Sequence, residues 1–161
     1  MSAWPVICSS EAAAAHEETF PSRSDDYGPF FRQWLTDGAS HTASELAQAD
    51  LLRAACVGEL RLIMRGVDLL AGPSTARAAY PVTSEELYGP PSPDRDPWTS
   101  RFTVPSDYAG LPTISLPCGL NGEGLPVSLQ FVGHHLSEQL LVQAGHAFER
   151  ATDFHNLHPP V

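Results

Sequence analysis

Three short apolar segments, each flanked by glycine or proline, constrain the fold of this chain more than any other feature. They are Val67–Ala71, Thr113–Leu116 and Val127–Val132, and their length and composition predict buried β-strands. Helical patterns separate them, which indicates an α/β layered domain. Three strands are few for so much helix, and a buried strand without neighbours leaves backbone groups unpaired at about 1–3 kcal/mol each. We therefore predict that these strands belong to a larger sheet whose other members lie outside this chain.

Helical patterns dominate residues 1–66. The strongest begins at Thr42, where Thr42 and Glu45 match a capping box, and it ends near Gly66. Its apolar residues recur at helical spacing and predict one buried face formed by Leu46, Leu52, Cys56, Leu60 and Ile63. Shorter helices are predicted over residues 9–19, capped by Ser9-Ser10, and over residues 29–36, ending before Gly38.

Residues 67–161 are predicted to contain strands and a long loop, unlike the mainly helical residues 1–66. We nevertheless predict one domain over residues 1–161. Residues 67–161 contain the three strands, a long loop and an amphipathic C-terminal helix over residues 137–150, with Leu140, Ala144 and Phe148 on its apolar face. The proline-rich segment Pro73–Pro97 lacks apolar periodicity, which is typical of a wrapping loop, with one turn near residues 84–87. The tail over residues 152–161 is predicted to be extended.

Charge and composition exclude several classes of partner. The net charge of −10 disfavours nucleic acid, whose phosphates this surface would repel. No run of eighteen apolar residues and no secretory signal are present, so neither a membrane partner nor secretion is expected. Three widely spaced cysteines fit reduced thiols in the cytoplasm better than disulfides or a zinc site.

The chain contains no lysine, since all nine basic residues are arginines. Any mechanism that needs a lysine amine therefore cannot be completed from this chain alone. A self-sufficient P-loop is excluded on the same ground, because its lysine contacts the nucleotide phosphates.

The histidines do not form a recognisable metal site, and we predict no metal and no cofactor. His134 and His135 are adjacent, so in a strand they would point to opposite faces and could not bind one ion together. His155 and His158 have suitable spacing, but no third ligand lies nearby in the sequence.

Candidate nucleophiles and acids are interpreted as structural. No glycine flanks Ser9-Ser10 to permit the strained turn of a nucleophilic serine, which favours a helix cap. Cys118 is interpreted as a buried thiol, and an enzyme using Cys118 with a histidine remains an alternative. Asp68 is interpreted as a hydrogen-bonded structural acid. Further acids are predicted to be solvated loop charges, namely Glu85-Glu86 and Asp94 with Asp96.

Two blocks of sequence carry a resemblance to a known family. Residues 102–119 read FTVPSDYAGLPTISLPCG and residues 124–133 read GLPVSLQFVG. Together they resemble the block near the C-terminus of the amidase-signature family. Residues 145–155 continue the resemblance, and residues 10–13 and 68–74 resemble earlier segments of the family in the same order.

The resemblance implies the fold and a candidate pocket. Members have a large mixed β-sheet covered by helices, so this chain would form the C-terminal part of that sheet with its covering helices. By the same resemblance, Ser100, Phe102 and Thr103 would form a wall of the substrate-binding pocket that holds the acyl group.

The resemblance also implies what the chain lacks. The family uses a serine, a second serine on a cis peptide and a lysine, all in an upstream glycine- and serine-rich segment, so no catalytic residue is predicted here. The function implied is the C-terminal segment of a hydrolase of carboxylic amide C–N bonds, whose partners are the missing N-terminal half, or a second copy by self-association, and a small-molecule amide once completed. A non-catalytic scaffold is the alternative. Glutamine-specific amidotransferases are disfavoured, because Gln33 or Trp34, and Ser100, stand where those members have arginine and aspartate.

Overall fold

The computed structural model describes residues 3–84, 86–87 and 99–157. It divides into two compact units, one of residues 1–55 and 81–96 and the other of residues 56–80 and 97–161. The described residues form five α-helices and three β-strands: α1 Ala3–Ala15, α2 Pro29–Ser40, α3 Ala43–Met64, β1 Leu69–Pro73, α4 Val104–Ala109, β2 Thr113–Leu120, β3 Pro126–Gly133 and α5 Glu138–Ala151. No helix within these described ranges is long and apolar enough to cross a membrane.

Helices α1 and α2 pack against each other in the first unit. The side chains of Ile7 and Leu35 are buried in this unit, and Leu35 is completely inaccessible to solvent. Helix α2 continues through Gly38 to Ser40, so the predicted end before Gly38 is wrong. A Cβ atom on Gly38 would lie only 1.9 Å from the carbonyl oxygen of Ser9. Glycine is therefore required at Gly38 by the contact between two backbones, not by a turn.

Helix α1 begins six residues before its predicted start. Ser9 and Ser10 lie inside it, so their predicted role as a helix cap is wrong. Pro5 lies in the first turn of α1, where proline is tolerated because its missing N–H has no intrahelical partner to lose. Ser9 is 2% exposed, and its hydroxyl lies 3.1 Å from His41 Nε2.

The predicted capping box at the start of α3 is confirmed. The backbone N–H and the hydroxyl of Thr42 both donate to the Glu45 carboxylate at 2.8 Å, and the Glu45 N–H donates to the Thr42 hydroxyl at 3.2 Å. The predicted apolar face of α3 is wrong in part, because Leu52 and Ile63 are more than half exposed. The buried positions of the helix are Ala49 and Met64.

Glu45 is expected to titrate below the range of an ordinary glutamate. The backbone N–H and the hydroxyl of Thr42 donate to its carboxylate and lower its pKa. Because the folded pKa lies below the unfolded one, Glu45 adds stability above the unfolded pKa, and this is lost as the pH falls through the folded pKa. An NMR titration of the Thr42→Ala variant should show the Glu45 pKa moving upward. Thr75→Ala, which removes a hydroxyl bonded to Arg77, serves as the control. An unchanged Glu45 pKa in Thr42→Ala would contradict this account.

The second unit contains an antiparallel sheet in the order β1-β3-β2. Strand β1 begins two residues later than predicted, strand β2 extends four residues beyond its predicted end, and β3 agrees with prediction to within one residue at each end. In the part of the chain that the structure describes, β1 and β2 each pair only with β3, so the outer edge of each has no strand partner. The α/β class is confirmed.

Helix α5 covers one face of this sheet. Its buried residues are Leu141 and Gly145, whereas Leu140, predicted to be on the apolar face, lies at its exposed margin. A Cβ atom on Gly145 would approach Ile114 of β2 to 2.9 Å, which shows how closely the helix lies on the strand. The rings of Phe131 and Phe148 meet edge to face at 6.4 Å.

Elements near α4 and in the tail also differ from the sequence expectations. Helix α4 was not predicted, and the tail contains a 3-10 turn over Phe154–Asn156 where an extended segment was expected. Other expectations lie outside the described residues: most of the proline-rich loop after residue 87, the loop charges Glu85, Asp94 and Asp96, and His158.

Candidate functional site

A pocket of about 170 Å³ lies in the second unit, against the sheet face opposite to the one that α5 covers. Strand alternation places Gln130 and Val132 of β3 on this face, because neighbouring residues such as Phe131 point to the other. The pocket lies between the sheet, the segment that leads into α4 and a residue of α3. Its lining consists of Leu60, Leu70, Ala71, Gly72, Pro73, Arg101, Phe102, Pro105, Ser106, Gln130 and Val132.

Gln130 fixes the segment that closes the pocket. Its side chain is only 5% exposed, and its Nε2 donates to the carbonyl oxygen of Phe102 at 3.0 Å. A buried amide without a partner costs free energy, so this bond ties the backbone at Phe102 to the middle strand of the sheet.

The turn before α4 depends on Ser100 and Thr103. The Ser100 carbonyl accepts the N–H groups of Thr103 and Val104 at 3.1 and 3.0 Å, and the Thr103 hydroxyl at 3.2 Å. The Ser106 hydroxyl donates to the Thr103 carbonyl at 2.7 Å. Pro105 lies in the first turn of α4, where its fixed φ favours the start of a helix.

The structure brings the three predicted pocket residues together on this one segment. Phe102 lines the pocket, whereas Ser100 and Thr103 form the turn that supports it. The role of all three in binding a substrate stays a prediction. Sequence reasoning missed Gln130, and the available signal was a glutamine inside the apolar run Val127–Val132, since buried polar side chains are rare and bonded.

The pocket has the character of a binding surface. The described residues that line it include no acid, histidine, cysteine or lysine, so none of them could act as a strong general base. Arg101 is the charged residue among them, and its guanidinium carbon lies 5.4 Å from the centre of the Phe102 ring. This arrangement can hold an apolar group, but breaking a bond would require groups from elsewhere.

Among the described residues, neither Ser9 nor Cys118 has the surroundings of a catalytic nucleophile. Ser9 and His41 are close enough for a hydrogen bond, but Ser9 is buried inside α1, where the backbone amides are already used by the helix. Cys118 is half-buried at an irregularity of β2, and its sulfur has no hydrogen bond to a histidine within the described ranges.

The two adjacent histidines, His134 and His135, lie outside the strand β3. They follow the last residue of β3, so the argument that adjacent strand residues point to opposite faces does not apply to them. They line one pocket together with Arg61 and Arg65. Among the described residues, no three histidine, cysteine, aspartate or glutamate side chains converge as metal ligands would.

Comparison with known proteins assigns the chain to a protein family. The amidase family model matches residues 6–142, and the chain therefore belongs to the amidase family. It is similar to AmiD of Mycobacterium tuberculosis, a protein named as an amidase, with 35% identity over 151 residues that cover 94% of this chain and 32% of AmiD. It is also similar to a subunit of the glutamyl-tRNA(Gln) amidotransferase of Enterococcus faecalis, with 33% identity over 87% of this chain and 29% of that protein.

The solved structures agree with this assignment. One described as the crystal structure of an amidase superposes with a TM-score of 0.76 and 27% identity, covering 93% of this chain and 35% of its own. The chain thus spans about a third of the length of the relatives it matches. The resemblance to the C-terminal portion of the amidase-signature family is confirmed.

Proposed function

We propose that this chain is the C-terminal segment of a hydrolase of carboxylic amide C–N bonds, and that it acts only when another polypeptide segment supplies the nucleophile and base. The observation that carries the proposal is the combination of family membership with coverage of about a third of each relative. The absence of lysine supports it, because the Ser-Ser-Lys mechanism of the family requires a lysine amine.

The pocket against the sheet is the proposed contribution of this chain to the site. Phe102 and the apolar residues of β1 would hold the acyl group, and Ser100 and Thr103 would shape the segment that presents Phe102. Acyl positioning contributes to catalysis because a held substrate reacts as if it were very concentrated. The reacting groups would lie in the absent segment.

The proposed partner is the missing N-terminal half of the fold. The outer edges of β1 and β2 have no strand partner in the described residues, and unpaired edges readily pair with another chain. Without that partner the same edges favour self-association. We propose a cytoplasmic location for the complex, because three widely spaced cysteines fit reduced thiols better than disulfides.

A complementation experiment tests this function. The two thirds of Mycobacterium tuberculosis AmiD that this chain does not match should be co-expressed with this chain. We expect co-purification, a shift in sedimentation from self-associated chain to a one-to-one complex, and hydrolysis of an aryl amide by the complex. A complex without hydrolysis would favour the non-catalytic scaffold instead, and failure to associate would contradict the proposed partner.

Matched variants of this chain separate binding from folding in that experiment. Phe102→Ala should raise KM and lower kcat/KM of the complex about tenfold or more, because it removes apolar contact from the acyl pocket. Leu136→Ala serves as the control, because Leu136 is 91% exposed and does not line the pocket. Equal values of KM and kcat/KM for the two variants would contradict a role of Phe102 in binding the acyl group.

A further inference from the structure

A second pocket in the same unit brings four cationic or protonatable side chains together. It has a volume of about 200 Å³ and is lined by Leu60, Arg61, Met64, Arg65, Ala109, Leu111, His134 and His135. It shares only Leu60 with the pocket at Phe102. The residues come from the end of α3, the end of α4 and the connection between β3 and α5.

The two arginines are available to a ligand. Arg61 lies in the last turn of α3 and Arg65 in the turn directly after the helix, and both line this pocket. Both are exposed, and neither guanidinium has an ion pair or hydrogen bond within residues 3–84, 86–87 and 99–157. Two arginines without an acidic partner among the described residues are unexpected in a chain where acids outnumber basic residues by 19 to 9.

Each histidine is held beside the pocket by a neighbouring segment. His134 Nε2 donates to the carbonyl oxygen of Val67 at 3.0 Å, which leaves Nδ1 as the nitrogen not engaged by the backbone. The His135 ring lies close to Gly110, where an added Cβ would be 3.8 Å from its Cε1. The ring nitrogens add polar groups to the lining of the cavity.

The remaining lining is apolar, which limits the kind of anion that fits. Leu60, Met64, Ala109 and Leu111 form this part, and Met64 is only 3% exposed. Arginine suits planar carboxylates because its guanidinium donates two parallel hydrogen bonds to them. The volume lies below the roughly 300–1,000 Å³ of pockets for drug-sized ligands, so a ligand must be small.

We propose that this pocket binds a small organic carboxylate with an apolar body, at a site separate from the one at Phe102. The carboxylate accepts hydrogen bonds from Arg61 and Arg65 and lies beside the two histidines, while the apolar body contacts Leu60 and Leu111. Cations near the end of a helix also interact favourably with its dipole. The helix dipole alone would explain the presence of an arginine at Arg61. It does not explain the two histidines or the apolar residues that line the same pocket.

Saturation-transfer NMR on the full chain tests the site with benzoate and its neutral analogue benzamide as observed ligands. Inorganic phosphate has no carbon-bound protons, so its binding is measured as competition with benzoate. We expect saturable transfer to the benzoate ring, with benzamide and phosphate each binding at least about tenfold more weakly, because each lacks one half of the recognition. Absence of benzoate binding, or equal binding of either analogue, would overturn the proposal.

Charge-matched variants locate the binding. The double variant Arg61→Gln with Arg65→Gln should weaken benzoate binding at least about tenfold, since charge-assisted hydrogen bonds are lost. Arg150→Gln removes an exposed arginine that lines a different pocket and should leave binding unchanged. His135→Ala provides an independent variant and should weaken binding by less than the double variant does. Wild-type affinity in both pocket variants would place benzoate elsewhere and refute the site.

Discussion

Replacing Gly38 with alanine is expected to destabilise the helical pair by about 3 kcal/mol or more. The added Cβ would lie 1.9 Å from the carbonyl oxygen of Ser9 and 2.3 Å from its carbonyl carbon, and these are backbone atoms that no rotamer change can move. Helices α1 and α2 would have to separate, and Leu35, which is fully buried beside this contact, would lose packing. Alanine is otherwise the better helix former, by about 0.5–1 kcal/mol, so the steric contact reverses the intrinsic preference.

Gly58→Ala makes the same chemical change in α3, where an added Cβ meets nothing within 4 Å. It should therefore stabilise the chain slightly through helix propensity. Urea unfolding followed by circular dichroism measures both variants, and the expected result is a lower midpoint for Gly38→Ala and an equal or higher one for Gly58→Ala. A Gly38→Ala midpoint at or above the wild-type value would show that the two helices do not pack through their backbones.

Sequence reasoning succeeded where structure depends on neighbouring residues. The capping box of Thr42 and Glu45 was predictable because both partners lie within one helical turn. Strand β3 was predictable because its apolar run ends in glycine. Membership of the amidase family was predictable because residues 102–119 and 124–133 resemble a block of that family.

Sequence reasoning failed where distant contacts override local preference. Gly38 looked like a helix terminator, but it lies inside α2 because the backbone of α1 packs against it. Gln130 was missed because its role depends on the Phe102 carbonyl, which lies 28 residues away in the sequence. His134 and His135 fell just beyond the strand end, so their shared pocket was invisible to a strand periodicity argument.

We expect the isolated chain not to accelerate amide hydrolysis. A complete amidase accelerates hydrolysis by about 10⁶-fold or more over the uncatalysed reaction. The proposed mechanism places all of the reacting groups of the family in a segment outside this chain. The pocket at Phe102 would still bind, but binding without a nucleophile and base leaves the chemical step uncatalysed.

We propose that this chain carries part of an amidase fold without the groups that perform the family's reaction. The release of arylamine from a simple aryl amide by the purified chain, with a full-length amidase as positive control, tests this proposal. We expect the isolated chain to show a rate equal to the buffer blank, and the complex with the complementing AmiD segment to show turnover. Turnover by the isolated chain that scales with its concentration and is titratable to one site per chain would contradict the claim.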